Sequence, residues 1–303
     1  MLRALIQQIK FFQFVLTHPL NRANKWAALI RYIRWQLGSR LVSGDVLMPF
    51  IDKSFLRVRP GMTGATGNIY AGLHEFEDMA FVLHLLRPND LFVDIGANIG
   101  SYTILAGGGV GAQCISIEPI SKTFQLLEDN INLNRLTGHV KALNMGVGKE
   151  KGVLRFTAGL DTVNHVLSDS EQVDNVVEVP IESLNDLLIN QEPTLIKIDV
   201  EGFETNVIAG ADRIFSKPSL LAVIMELNGS GERYGFNEVL LHEKMLSFGF
   251  KSYMYSPFDR QLISLGGKMS ASGNTLYVRN VDEVDHRLQS AQQYWIVNAA
   301  IYV

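Results

Sequence analysis

Cysteine is almost absent. Cys114 is the single one in 303 residues, so no intramolecular disulfide can form, and no Cys/His group has zinc-finger spacing. That usage fits a reducing compartment, and a cytoplasmic location is the expectation. Net charge is small too, −4 at pH 7, with 19% charged and 47% hydrophobic side chains. Such a chain has ample apolar surface for a core, which excludes disorder over most of its length. No internal repeat and no low-complexity tract is visible. The N-terminus is apolar, but Lys10 interrupts it early and no small-residue cleavage site follows, so it does not read as a secretory signal. The longest uncharged stretch, 23 residues between Asp94 and Glu118, carries six glycines. A membrane-spanning helix needs about 20 mostly apolar residues without such breakers. Strand, glycine turn, short helix and second strand is the better reading.

Acid is missing from one end. Residues 1–44 hold seven Lys/Arg and no Asp or Glu, leaving a net −11 for the remainder. Two helices fit this segment. Leu2, Leu5, Ile6, Ile9, Phe12 and Leu16 form the stripe of the first, broken by His18-Pro19. Asn21 suits the cap of the second, whose inward stripe would be Trp26, Leu29, Ile30, Ile33 and Leu37, ending at Gly38. A basic helix pair can be an accessory layer on the acidic main domain. It can also make peripheral membrane contact with anionic lipid, or dock on nucleic acid or an acidic partner. The charges are spaced singly, which favours the packed layer.

From residue 91 onward, apolar strands and helical stripes alternate, the pattern of an α/β fold with a parallel sheet wrapped by helices on both faces. Gly152–Thr157 and Val176–Pro180 read as a strand pair outside that rhythm. The chain divides into a helical extension (1–44), a connecting strand, turn and helix region (45–90), a main domain (91–280) and a C-terminal tail (281–303).

In such sheets ligands sit beyond the carboxyl ends of the strands, at the switch in strand order. Phe92-Val93-Asp94-Ile95-Gly96-Ala97-Asn98-Ile99-Gly100 is a strand, a glycine turn and a helix start there. Gly96 and Gly100 would let a ligand touch backbone. Glu118 ends the next strand 18 residues after Gly100, a separation suited to gripping a ribose diol. A dinucleotide normally meets Gly-x-Gly-x-x-Gly, and Asp94 at the mouth of this turn would repel its pyrophosphate. S-adenosylmethionine carries an α-ammonium and a sulfonium and no phosphate, so Asp94 suits it.

The motifs Phe92-Val-Asp94-Ile-Gly96-Ala-Asn98-Ile-Gly100-Ser-Tyr102-Thr, Glu118-Pro119, Lys197-Ile-Asp199-Val-Glu201-Gly202-Phe-Glu204 and Met225-Glu226-Leu-Asn228 go further. On them the chain resembles the FkbM family of S-adenosylmethionine-dependent methyltransferases, over roughly residues 70–280. The stretches around Phe156–His165 and Asn228–Phe236 look like a subgroup of it. The resemblance implies a Rossmann-like, seven-stranded methyltransferase sheet, usually serving methylation of a hydroxyl on a small molecule, glycan or other natural product. Asp94, Gly96, Ala97, Asn98, Gly100, Tyr102 and Glu118 are assigned to the cofactor, although packing suits Tyr102 better than stacking.

Lys197, Asp199 and Glu201 alternate with Ile196, Ile198 and Val200, which in a strand puts all three on one side. An alcohol acceptor must lose its proton, so a positioned carboxylate or imidazole helps. Asp199 and Glu201 are the first candidates, then Glu226 at the end of the fifth strand, then the loop residue His165. Alternatively, Asp199, Glu201, Glu226 and Asn228 supply oxygen ligands to Mg²⁺. Arg233-Tyr234 could clamp an anionic or sugar substrate or lie in a solvated loop. Two other functions fit the topology: an NAD(P)-dependent oxidoreductase, and a binding protein that kept the fold and lost catalysis. Nucleic acid is not expected as acceptor, because the acidic main domain repels phosphate.

Overall fold

The computed structural model describes residues 11–41, 44–59, 62–159, 164–168, 171 and 174–303. Leu2, Leu5, Ile6 and Ile9 of the first expected helix lie outside these residues. The central sheet comprises β1 (Leu91–Ile95), β2 (Gln113–Ile117), β3 (Val140–Leu143), β4 (Pro193–Ile198), β5 (Ala222–Glu226), β6 (Lys251–Ser256), β7 (Gln261–Ser264) and β8 (Asn274–Val278). Their spatial order is β7-β6-β8-β5-β4-β1-β2-β3. Neighbours from β3 through β5 pair in parallel, whereas β8 runs antiparallel to both β5 and β6. The sheet has eight strands, one more than expected. The addition is β7, an edge strand that folds back on β6 through a turn held by Ser256 Oγ donating to Asp259 Oδ2 at 2.7 Å. Its Gln-Leu-Ile-Ser sequence is largely exposed and carries too little apolar alternation to announce a strand.

Alternation within the strands sorts the sheet into two unlike faces. Val93, Ile95, Ile115, Ile117, Ile196, Ile198, Val223 and Met225 point into one core, closed by Val207, Ile208, Phe215, Leu241 and Met245. Phe92, Leu195 and Ile224 point the other way, under the helix Phe76–Leu85 and the C-terminal helix Val281–Ser290. Toward the carboxyl ends this second face turns polar. Ser116, Asp94 and Lys197 are register partners across β2, β1 and β4, and Glu226 pairs with Asn274 across β5 and β8. The 23 uncharged residues after Asp94 form a turn, a short helix, a π-helical turn over Leu105–Val110 and the strand β2. No helix among the described residues is long and apolar enough to cross a membrane. The expected outlying strand pair is present, as Gly152–Thr157 against Val176–Ser183, and Gly146–Gly148 completes a three-stranded sheet.

The helix Lys25–Leu41 departs from its expected orientation. Asn24, not Asn21, caps it, accepting from Ala27 N–H at 3.0 Å, and it runs through Gly38. Asn21 is buried instead, its Nδ2 donating to the carbonyls of Val15 and Tyr70. Ala28 is buried against the body, and Arg31 donates to Asn21 Oδ1 and to the Tyr70 carbonyl. Apart from Leu29, which is half-buried, the expected inward stripe therefore faces outward: Trp26 is 76%, Ile30 52%, Ile33 45% and Leu37 58% exposed.

Candidate active site

The switch in strand order lies between β1 and β4, and beyond their carboxyl ends opens a cavity of about 480 Å³. That is within the range of small-molecule and cofactor sites. On the β1 side, Asp94 is fully buried with Oδ2 accepting from Thr103 Oγ1 at 2.7 Å, and Oδ1 has no partner. Burial raises its pKa, while Lys197 and the Thr103 bond oppose the rise. An orphaned, buried carboxylate oxygen on a cavity wall is a place for a cation.

The turn that follows is dictated by close packing. Gly96 has φ +80°, and a Cβ there would stand 1.8 Å from the Asp199 carbonyl oxygen. Gly100 adopts φ +93°, and its Cβ would meet Leu127 Cδ1 at 2.6 Å. Both glycines thus make room for protein rather than ligand. Gly96 still lines the cavity, together with Ala97 and Asn98, whereas Gly100 does not. Asn98 N–H donates to Glu118 Oε2 and Ile120 N–H to Oε1, each at 3.0 Å. Burial pushes Glu118 up to about 7 against the pull of these two donors. Each oxygen keeps a lone pair for a further donor such as a diol.

On the β4 side the charge is dense. Lys197 is buried, its Nζ 2.7 Å from Asp199 Oδ2 and 4.8 Å above the Tyr102 ring. Burial alone would lower its pKa, but Asp199, Glu75 and Asp94 outweigh it and hold the ammonium protonated. The period-two expectation holds for Lys197 and Asp199 only. The strand ends at Ile198, and Glu201 sits in a turn at φ +55°. That turn nevertheless returns its carboxylate to the cavity, where Asp199, Glu201 and Glu226 each bring an oxygen within 4.8 Å of the others. Burial, then the Asp199 charge, raises Glu201 to about 7; burial with Asp199 and Glu201 raises Glu226 to about 9. Asn228 stands apart from this trio, exposed and accepting from Ser230 N–H at 2.9 Å, so the four-oxygen ligand set does not assemble. The remaining three carboxylates are close enough to share a cation, but Lys197 already supplies one at Asp199.

His165 is not brought to the cavity. Its Nε2 lies 3.1 Å from Glu171 Oε1, although its neighbours Asn164 and Val166 do line the wall. Arg233 and Tyr234 are engaged as loop ties: Arg233 donates to the Glu201 carbonyl at 3.1 Å and Tyr234 to the Val166 carbonyl at 2.6 Å. Three acids received no role from the sequence. Glu204 Oε1 accepts from Val200 and Gly202 N–H at 3.1 and 3.2 Å, which fixes the turn carrying Glu201. Glu75 lines the cavity, receiving Tyr102 Oη at 2.8 Å and Asn274 Nδ2 at 3.0 Å, and the same amide donates to Asp78. Glu75 and Asp78 carried no distinguishing signal, since acids are ordinary at the start of a helix. Glu204 lay within a motif already singled out, and only its role was unread.

Comparison with known proteins follows the same residues. The Methyltransferase FkbM domain family matches residues 94–252, from the buried aspartate of β1 to the start of β6. The chain belongs to the FkbM methyltransferase family. It is 28% identical over 207 residues to Methyltransferase 1 of Beauveria bassiana (strain ARSEF 2860), covering 60% of this chain and 82% of that protein. It is 24% identical over 176 residues to the hexuronic acid methyltransferase AglP of Haloferax volcanii, covering 56% and 70% respectively. Among solved structures it resembles methyltransferase FkbM from Methylobacillus flagellatus KT, with TM-score 0.44 and 19% identity over 70% of this chain and 53% of that one.

Proposed function

We propose that this FkbM methyltransferase uses S-adenosylmethionine to methylate a hydroxyl of an uncharged, hydroxyl-rich small molecule or glycan. One observation carries the reading: a single cavity is lined both by Asp94, with its buried, orphaned carboxylate oxygen, and by the trio Asp199, Glu201 and Glu226. When bound, the cofactor supplies an electrophilic methyl group on a sulfonium. Asp94 Oδ1 would accept its ammonium, Glu118 its ribose diol, and the Ala97–Asn98 turn would wall the nucleoside. Lys197 holds Asp199 in place through their 2.7 Å contact. Glu201, with its carboxyl near neutrality, is suited to take the acceptor's proton, and Glu226, still protonated at pH 7, to donate a hydrogen bond that orients the acceptor.

The charge of the wall argues for the acceptor class. Among the described residues the cavity is lined by six carboxyl side chains (Glu75, Asp94, Glu118, Asp199, Glu201, Glu226) and one lysine already paired. A hexuronic acid, the acceptor named for the archaeal relative, would bring a further carboxylate with no free cation to meet it. Calorimetry tests the cofactor: S-adenosylhomocysteine is expected to bind and NAD and NADP to be silent. Saturable binding of NAD in its place would overturn the reading and restore the oxidoreductase alternative. Methyl transfer from labelled cofactor to neutral polyols, with uronic acids inert, tests the acceptor.

A further inference from the structure

We propose that the helix Lys25–Leu41 seats the protein on an anionic phospholipid surface. Its outward ridge consists of Trp26, Ile30, Ile33, Leu37 and Leu41, all between 45% and 84% exposed. At 100° per residue these five fall within an arc of about 80°. Arg34 and Arg40 border that arc on its two sides, and Lys25 stands at its first turn. All three are exposed and none makes an ion pair among the described residues. An apolar ridge headed by tryptophan and flanked by arginine is the pattern of a helix lying in a membrane interface.

The ridge is held outward by the opposite face. Ala28 is buried, Arg31 donates to the Tyr70 carbonyl at 3.0 Å, and Gln36 donates to Tyr70 Oη at 3.1 Å. The helix therefore cannot roll its apolar side inward without breaking these bonds. Charge selects the occupant. Residues 1–44 contain no acid while the rest of the chain carries −11, so the basic end is attracted to an anionic plane. A second copy meeting ridge to ridge would set Arg34 and Arg40 against their equivalents with no carboxylate on either helix to relieve them. Tyr70 belongs to the helix Thr63–Ala71, which supplies Ala65 and Asn68 to the cavity wall. Mooring through the ridge thus leaves the active site one helix away from the lipid.

Flotation of the full chain with phosphatidylcholine vesicles, with and without added phosphatidylglycerol, tests this. The protein should float with the anionic vesicles and stay behind with the neutral ones. Ile33→Asp combined with Leu37→Asp, at exposed positions, should abolish flotation while thermal unfolding is unchanged. Arg34→Gln with Arg40→Gln should weaken binding to anionic vesicles about thirty-fold. Equal binding to both vesicle types, no binding to either, or full flotation of the Ile33/Leu37 variant would overturn the proposal. So would a wild-type dimer in sedimentation that the same variant converts to monomer, since the ridge would then belong to a second copy.

Discussion

Replacing Asp94 by Asn separates binding from folding. The side chain keeps its shape and its acceptor for Thr103 Oγ1, but the negative charge beside the orphaned oxygen position is gone. A charge pair at contact distance is worth about 4 kcal/mol at an effective dielectric of 20. Desolvation of the incoming ammonium offsets part of this, leaving roughly 2 kcal/mol, or about a thirty-fold weaker Kd for S-adenosylhomocysteine. The ligand-free protein gains from losing a buried carboxylate whose pKa burial has raised, and loses one attraction to Lys197. Its stability should change by less than about 1 kcal/mol. At a ligand concentration of about 100 times the wild-type Kd, binding contributes about 2.7 kcal/mol. For 303 residues that is a rise in Tm of about 4 °C. Differential scanning calorimetry should show that rise in the wild type and under half of it in Asp94→Asn, with ligand-free midpoints nearly equal. An undiminished ligand shift would refute the pairing of Asp94 with the cofactor's cation.

Gly96→Ala should destabilise the fold by about 2–4 kcal/mol in urea, because its Cβ would stand 1.8 Å from the Asp199 carbonyl and its φ is +80°. Gly138→Ala, with nothing near its Cβ, should stay within about 0.5 kcal/mol; equal losses at the two sites would remove the packing explanation. The pH profile of kcat/KM should rise through about 7 as Glu201 ionises and fall above about 9 as Glu226 does. Glu201→Gln should lower kcat and erase the rising limb; an unchanged limb assigns the base elsewhere. Stability should move the opposite way with pH. Glu118 and Glu204 are raised to about 7 from 4.5, so the native state holds more protons than the unfolded chain across that interval. Stability is then lost as pH rises through it. The ligand-free Tm should be higher near pH 5.5 than near pH 8, and a Tm that climbs with pH would contradict the burial of these carboxyls.

The β1 side of the cavity was legible because its residues lie in two short strings, each ending a strand. Asp94, Ala97, Asn98 and Glu118 line the cavity as the strand–turn–helix reading required. Lys197, Asp199, Glu201 and Glu226 came from a second pair of strand ends and also converge. What failed was whatever depended on contacts that periodicity does not specify. His165 is drawn off by Glu171, a partner six residues away in a loop that no periodicity describes. The helix Lys25–Leu41 carries apolar residues on both sides. Periodicity locates the stripe of Trp26, Leu29, Ile30, Ile33 and Leu37 without saying which side meets the body. Small Ala28 and the hydrogen bonds of Arg31 decided that. Glu75 and Asn274 are 199 residues apart and meet only because β8 inserts beside β5.

The unlike faces of the sheet divide the molecule's tasks. On one side of β1, β4 and β5, side chains from Val93 to Met225 join one hydrophobic cluster; on the other, one residue along, stand Asp94, Lys197 and Glu226. A methylene added or removed in that cluster alters how firmly the protein holds together and leaves the donor and acceptor groups where they are. Selection for heat tolerance and selection for a new acceptor can therefore proceed on separate sets of positions, and gains made in one can be carried into the other.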